Sequence, residues 1–298
     1  MIQKMNTHKA GFVNIIGKPN AGKSTLMNEL VGERLAIITS KVQTTRHRIL
    51  GIVNGDDFQI IYSDTPGIIE PKYKMQAAMM SFVTSAFRDA DVMLFINDAT
   101  DPKDSELLPI AEKLNKMGTP VIFLLNKTDK ATPEQMAKKL EYWKKHIDAV
   151  LFLPISALKK DNLDVLFEKI KSFLPFHPPY YDKDSLTDRP ERFFVSEIIR
   201  EKILLNYRQE IPYSVEIVIE KFKDEPKIVR INALIIANRQ SQKPILIGHR
   251  GSRLKKIGTE ARKDIEKFVG KKVFLQLFVK VRENWRDNDM LLKNMGYK

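Results

Sequence analysis

The stretch Gly17-Lys-Pro-Asn-Ala-Gly-Lys-Ser24 has the residue types and spacing to hold a polyphosphate. It fits G-x-x-x-x-G-K-[ST], where glycines let backbone N–H groups turn onto phosphate oxygens and a following helix presents its positive end. Gly17, Lys18, Pro19, Asn20, Ala21, Gly22 and Thr25 form the cradle, Lys23 is expected to reach the β- and γ-phosphates, and Ser24 to ligate magnesium. Asp64-Thr65-Pro66-Gly67, followed by Ile68, supplies a carboxylate able to hold magnesium through water. The Gly67 N–H is unshielded by a side chain and can meet a γ-phosphate. Asn126-Lys127-Thr128-Asp129 offers a carboxylate with two acceptor oxygens, which matches the ring N–H and exocyclic amine of guanine. Adenine lacks that donor pair and would leave the carboxylate unpaired. The Lys127 stem can cover the base and Asn126 can brace neighbouring loops. Ser156-Ala157-Leu158 can add a backbone N–H for the guanine carbonyl oxygen.

Each motif follows a short apolar run. Candidate strands are Phe12–Ile16, Ile49–Val53, Gln59–Ser63, Val92–Asn97, Val121–Leu125 and Leu151–Ile155. They alternate with candidate helices at Lys23–Val31, Met75–Arg88, Ser105–Met117, Pro133–His146 and Leu163–Phe173. Asn54-Gly-Asp-Asp57 is a hairpin signal between the second and third strands. The remaining alternation predicts an α/β fold, a mostly parallel six-stranded sheet with helices on both faces and ligand loops at the carboxyl ends of the strands. The proline-rich run 175–190 reads as an extended linker, so the chain divides into a nucleotide-binding domain at 1–174, a linker, and a smaller α+β domain at 191–298. In the latter, a helix at Glu191–Gln209, a strand pair at Tyr213–Phe222 and Lys227–Ala237, a basic helix at Ser252–Phe268 and a strand at Lys272–Val281 are expected.

The charge is uneven. The net +13 splits into +4 over residues 1–181 and +9 over 182–298, and residues 243–272 hold ten basic and three acidic side chains. Such a local excess predicts a polyanionic partner, nucleic acid or anionic lipid. With no cysteine, disulfides, thiolate metal sites and cysteine nucleophiles are excluded, and a reducing compartment is expected. No apolar run approaches the roughly 20 residues of a membrane span, and no signal-peptide pattern opens the chain. His8, His47, His146 and His177 lack metal-ligand spacing; Trp143 and Trp285 are expected to pack; Asp101 and Asp104 are expected to serve a loop and a helix cap.

Gly248-His249-Arg250-Gly251 lies between two helical stretches within the helix–strand–strand–helix–loop–helix–strand order, and it resembles the KH domain's clamp on four single-stranded nucleotides. There Gly248 and Gly251 would admit phosphates, His249, Arg250, Arg253, Lys255 and Lys256 would supply charge, and Ile245 and Ile247 would line an apolar base groove.

The four nucleotide motifs, in this order, resemble the GTP-binding domain of the translation-factor-related GTPases. That resemblance makes Thr44 or Thr45 the switch-I threonine on magnesium, with Thr45 favoured because it directly precedes Arg46, although spacing alone does not choose. It assigns Lys23, Thr45, Asp64 and Gly67 to catalysis. Two features bear on mechanism. Ile68 stands where relatives place a water-orienting glutamine, and Asn20 stands where an asparagine helps hold potassium against the phosphates. With one type II KH unit appended, nearly the whole chain resembles the Era family of ribosome-assembly GTPases. Gln43-Thr-Thr-Arg-His-Arg48 and the tail Val281-Arg-Glu-Asn-Trp-Arg286 support this, while His249 departs from the expected lysine. The resemblance implies slow hydrolysis of GTP to GDP with Mg²⁺, and potassium as an activating ion. It also implies binding to the 3′ end of 16S ribosomal RNA during 30S subunit assembly, in the cytoplasm, with peripheral contact with the inner membrane. The alternative is an RNA-binding assembly factor that uses GTP only as an allosteric ligand, a reading that Ile68 favours.

Overall fold

A computed structural model describes residues 7–297 and divides them into two compact units. The first comprises residues up to Ala36, Thr45–Glu70 and Met79–Asp188; the second comprises Ile37–Thr44, Pro71–Ala78 and the chain from Arg189 onward.

In chain order the first unit contains β1 (Lys9–Ile16), α1 (Lys23–Val31), β2 (Ile49–Asn54), β3 (Phe58–Asp64), most of α2 (Lys74–Ala86), β4 (Val92–Asp98), α3 (Leu108–Asn115), β5 (Val121–Asn126), α4 (Pro133–Lys144), β6 (Leu151–Pro154) and α5 (Leu163–Phe173). The sheet order is β2-β3-β1-β4-β5-β6, and only the β2–β3 pair is antiparallel. This is the expected α/β architecture. Strands β4 and β5 are buried at nearly every position, the pattern of parallel strands covered on both faces. On one face Phe95 meets Trp143 edge-on at 5.3 Å and Phe123 at 5.7 Å, with Leu107, Ala111 and Leu114 packed around them.

The helix expected over 105–117 is shorter. Asp104–Leu107 forms a 3₁₀ turn and α3 begins at Leu108. The cause is Pro109, whose missing N–H is tolerated only in a first helical turn. Asp104 also departs from a simple capping role: its carboxylate gathers Asn97 Nδ2 (3.1 Å), Lys139 Nζ (2.8 Å) and Trp143 Nε1 (3.2 Å).

The proline-rich run is extended but follows the first unit. Pro175 O accepts from Ala10 N (3.1 Å), Gln59 Oε1 accepts from Tyr180 N and Tyr181 N, and Ile52 N of the edge strand β2 donates to Leu186 O (2.8 Å). Gln59 is wholly buried, so these bonds satisfy groups that would otherwise be stranded, and they cover an exposed sheet edge.

The second unit contains α6 (Glu191–Asn206), β7 (Val215–Asp224), β8 (Ile228–Ala237), α7 (Gln242–Ile247), α8 (Ser252–Val269), β9 (Lys272–Val281) and α9 (Asp289–Asn294). The sheet runs β7-β8-β9, antiparallel then parallel. Val195, Ile199 and Ile203 of α6 and Ile257, Ala261 and Ile265 of α8 recur at four-residue spacing and cover one sheet face. At β7, Glu216 accepts from Tyr297 Oη at 2.7 Å, while the fully buried Trp285 donates to Ser214 O at 3.2 Å. The tail is thus docked on its own unit. Replacing Trp285 with alanine removes a large buried ring and is expected to destabilise the second unit by about 3–5 kcal/mol. Urea unfolding followed by circular dichroism measures this, and fluorescence of Trp143 in the first unit serves as the internal reference.

Candidate functional site

The phosphate loop leaves β1 at Ile16 and enters α1 at Lys23, with Asn20 (φ 63°) and Gly22 (φ 103°) in the left-handed region that folds the loop back on itself. Lys23 is buried, and its ammonium donates to Gly17 O (3.1 Å) and Lys18 O (2.7 Å), which points it into the loop's concavity. Burial pushes that ammonium down to about 8, opposed by the charge of Asp64. An anion placed in the loop therefore gains a cation that is already desolvated and aimed.

Around it three oxygen-bearing side chains converge. Ser24 Oγ donates to Asp64 Oδ2 at 2.6 Å, Thr45 Oγ1 donates to the same oxygen at 3.0 Å, and the two hydroxyls lie 2.9 Å apart. Asp64 is wholly buried at the end of β3, and its other oxygen, Oδ1, has no hydrogen-bond partner. Burial holds its carboxyl above the usual carboxylate range, against the pull of Lys23, Ser24 and Thr45. A buried carboxylate with an orphaned oxygen, flanked by two hydroxyls, is a hard-oxygen donor set suited to magnesium. Thr44, the other candidate, turns away: its hydroxyl donates to Lys41 O at 2.6 Å and meets Thr39 at 2.7 Å.

Gly67 packs onto the phosphate loop so closely that a Cβ there would stand 2.6 Å from Pro19 N and 2.7 Å from Pro19 Cα, so a side chain would push the two apart. Ile68 N donates to Gly17 O at 3.1 Å, while the Ile68 side chain packs against the aromatic core beneath. Thr65 Oγ1 donates to Ile15 O at 2.8 Å and is structural.

At the other end of the site Asn126 bridges two loops, donating from Nδ2 to Ala21 O (2.8 Å) and accepting from Ala157 N (2.9 Å). Ser156 Oγ donates to Asp129 Oδ1 at 2.6 Å, which holds the exposed carboxylate in one orientation. Lys127, in the left-handed region, pairs with Asp98 at 2.6 Å. Leu158 is exposed. Sequence reading missed Asp98, and it also missed Asp101 and Glu106, which hold the Lys18 ammonium at 3.0 and 2.8 Å. Burial works against that ammonium, but these two carboxylates raise it above its ordinary value. The Lys18 side chain is thus committed to these carboxylates, while its carbonyl accepts from Lys23. Asp98 ends β4 at the sheet's ligand edge, and that position was the available signal.

In the second unit Gly248 (φ 73°), Arg250 (φ 48°) and Gly251 (φ 78°) form a tight loop leading into α8. At Gly248 a Cβ would lie 2.7 Å from Arg253 Cγ, so glycine is required there. Arg250, Arg253, Lys255 and Lys256 carry their charge at the surface, and the His249 ring is exposed beside them. A groove of about 390 Å³ opens beside the loop, lined by Gly251, Leu254, Gly258, Arg262, Leu275 and Leu277 among others. Ile245 and Ile247 do not line it. In the short α7 the buried side is taken by Leu246, and its neighbours, turned 100° either way, face elsewhere. The lining of this groove comes instead from Leu254, Gly258 and Arg262 at four-residue spacing on α8, facing Leu275 and Leu277 of β9.

Comparison with known proteins agrees with this geometry. Residues 12–127 match the 50S ribosome-binding GTPase family and residues 210–286 match the KH domain family. GTPase Era of Clostridium perfringens is 45% identical over 97% of this chain and 98% of its own length. The chain belongs to the Era family of GTPases. A chloroplastic ERA1 GTPase of Zea mays is likewise 45% identical, over 97% of this chain and 71% of the relative. Two solved Era structures superpose with a TM-score of 0.91 at 40% identity, each covering 97% of this chain and 99% of the other. One is Era with MgGDPNP and nucleotides 1506–1542 of 16S ribosomal RNA; the other is a single-substitution variant of Aquifex aeolicus Era bound to GDP·AlF₄⁻.

Asn126→Ala would strand both Ala21 O and Ala157 N. It is expected to weaken GDP and GTP binding alike, by about tenfold or more, because the bridge ties together loops whose phosphate and base contacts both nucleotides would share. Equilibrium titration with fluorescent nucleotides checks this.

Proposed function

We propose that this GTPase binds guanine nucleotide with magnesium in the first unit and the 3′ end of 16S ribosomal RNA in the second, and acts as a slow hydrolytic switch in 30S subunit assembly. The observation that carries the hydrolytic reading is the convergence of Ser24, Thr45 and Asp64 on one point beside the buried Lys23. Residues 17–25 cradle the phosphates, Lys23 neutralises charge on the β- and γ-phosphates, and the Gly67 N–H faces the γ-phosphate. Ser24 and Thr45 would hold magnesium, with Asp64 behind them, and the bound ion would supply charge neutralisation on the phosphates. Thr45, rather than Thr44, has the position for this role. Asp129, fixed by Ser156, reads guanine, and the Lys127 stem covers the base. Asn20, at the exposed tip of the loop, would help hold a potassium ion beside the phosphates. A catalytic role for this donor set weighs against the reading of GTP as a purely allosteric ligand.

RNA is favoured as the polyanion because the charge surrounds a glycine loop and a groove with apolar walls. Backbone phosphates can meet the loop and the N-terminal end of α8 while bases enter the groove. Anionic lipid would use the same charge without needing Gly248 and Gly251. Among the described residues no helix is long and apolar enough to cross a membrane, so membrane contact through these helices would be peripheral, and we place the protein in the cytoplasm with the ribosome.

Asp129→Asn removes the acceptor pair and is expected to weaken GTP on the order of a hundredfold, with preference passing to xanthosine triphosphate. Competition binding tests it, and unchanged guanine preference removes Asp129 from the base-reading role.

The function as a whole is tested by GTP turnover with and without a single-stranded RNA copying the 3′ end of 16S ribosomal RNA, in potassium and in sodium buffer. RNA and potassium are both expected to raise the rate, and His249→Asp with Arg250→Asp is expected to abolish the RNA effect while leaving nucleotide affinity intact. Absence of an RNA effect despite tight binding favours the allosteric reading, and equal rates in the two salts remove potassium from Asn20.

A further inference from the structure

We propose that Arg200 is a positioning residue for hydrolysis: it holds the backbone carbonyls of Gln43 and Thr44 and so fixes where the neighbouring Thr45 hydroxyl stands. The proposal rests on the reading of Thr45 as a magnesium ligand.

Arg200 lies on α6 and is wholly buried. Its guanidinium is clamped by Glu197 one turn earlier, from Nε to Oε1 at 2.8 Å and from Nη2 to Oε2. The same Nη2 also donates to Thr44 O, and Nη1 reaches Gln43 O at 3.5 Å. A guanidinium presents its five donors in a rigid plane, so once Glu197 sets the plane the remaining N–H groups are aimed.

Stability does not explain this pair. A buried ion pair loses in desolvation much of what it gains in attraction, and the apolar side of α6 is already supplied by Val195, Ile199 and Ile203. What the pair accomplishes is contact with two consecutive carbonyls.

The loop it meets is folded to present them. Gln43 has φ 56° and accepts from Tyr73 Oη at 3.2 Å, while Thr44 closes a turn onto Lys41 O. The Thr44 carbonyl shares its peptide plane with the Thr45 nitrogen, and that plane is rigid. Fixing the carbonyl therefore fixes the direction in which the chain enters Thr45, whose hydroxyl must lie within hydrogen-bonding distance of Ser24 and Asp64. The same unit grips the loop a second time, where Lys41 Nζ donates to Tyr207 O beyond the end of α6. Tyr207 Oη in turn donates to Leu246 O (2.6 Å), two residues before Gly248. One helix end thus touches both the loop before Thr45 and the helix before the G-x-x-G turn.

The test uses the full chain and compares affinities for a non-hydrolysable GTP analogue and for GDP in magnesium, together with GTP turnover. Arg200→Met is made alone and with Glu197→Gln, the second removing the carboxylate that would otherwise be buried without a partner. Thr45→Ala is the reference. A switch threonine is engaged through the γ-phosphate and its magnesium. Both Arg200 variants are therefore expected to lower the ratio of analogue to GDP affinity about tenfold, with turnover falling in parallel and GDP affinity held within about twofold. Arg200→Lys, which keeps the charge but not the fork, should recover part of the loss. An unchanged ratio in the double variant, with the ratio lowered in Thr45→Ala, overturns the role of Arg200 alone. An unchanged ratio in Thr45→Ala overturns the reading of Thr45 and the proposal with it. Equal loss of both affinities makes the pair merely structural and also overturns it.

Discussion

The first unit is organised around a carboxylate that is expensive to bury. Asp64 sits at the end of β3 with no solvent exposure and one oxygen unpartnered, a placement that costs several kcal/mol unless charge comes to meet it. Three neighbours reduce the cost without removing it: Lys23 through its charge, Ser24 and Thr45 through hydrogen bonds. The parallel sheet makes the arrangement possible. Because β1 and β3 are hydrogen-bonded neighbours with Ile15 opposite Asp64, the phosphate loop and the carboxylate leave the sheet side by side. The remaining demand, for a small divalent cation and a polyphosphate, is built into the geometry of the site. Lys23 shows the same logic in reverse, a cation held below its ordinary value until an anion arrives.

The second unit solves the opposite problem, presenting charge without burying it. Its basic side chains near the G-x-x-G turn reach solvent and so retain their hydration, while the groove beside them is apolar at Leu254, Leu275 and Leu277. Phosphates can therefore be met by solvated cations and helix N–H groups, and bases by a surface that gains from excluding water. Gly258 keeps the wall of α8 low: a Cβ there would already touch Leu277, at 3.5 Å. Solvated charge beside an apolar groove is the division of labour that single-strand recognition uses.

Much of this was legible in the sequence, and what escaped did so for a physical reason. Each strand bearing a nucleotide motif could be read because its apolar run ends in a glycine, carboxylate or amide of defined chemistry, as at Ile16–Gly17 and Leu125–Asn126. Helix α5 was located to the residue because its apolar positions repeat cleanly between a polar start and a proline. The start of α3 was misplaced because Pro109 can open a helix as readily as it can end one. Thr44 and Thr45 were inseparable by spacing, since adjacent positions differ only in which way each hydroxyl points, and that is decided by the fold. Ile245 and Ile247 are apolar and adjacent to the loop, but the spacing does not show that Leu246 between them takes the buried side of α7 and that the groove beside the loop is walled by α8 and β9. Partners from remote segments were illegible altogether: nothing near Lys18 announces Asp101, and nothing near Thr44 announces Arg200.

Ile68 shapes what kind of catalysis the site can perform. Its side chain is committed to the core and its amide to Gly17 O, so no side chain at this position can orient a water molecule. Hydrolysis must then draw its acceleration from charge. The transition state of phosphoryl transfer is loose, with charge spread over the equatorial oxygens, so fixed cations and backbone donors contribute more than a general base does. Such a site is slow by default, and its rate depends on how completely its charges are in place. Lys23, Asp64 and Thr45 are all buried, and Thr45 follows directly on a loop, Ile37–Thr44, that groups with the second unit. With no water-orienting side chain at position 68, the rate rests on the donor set being complete, and Thr45 is the member that follows on that loop.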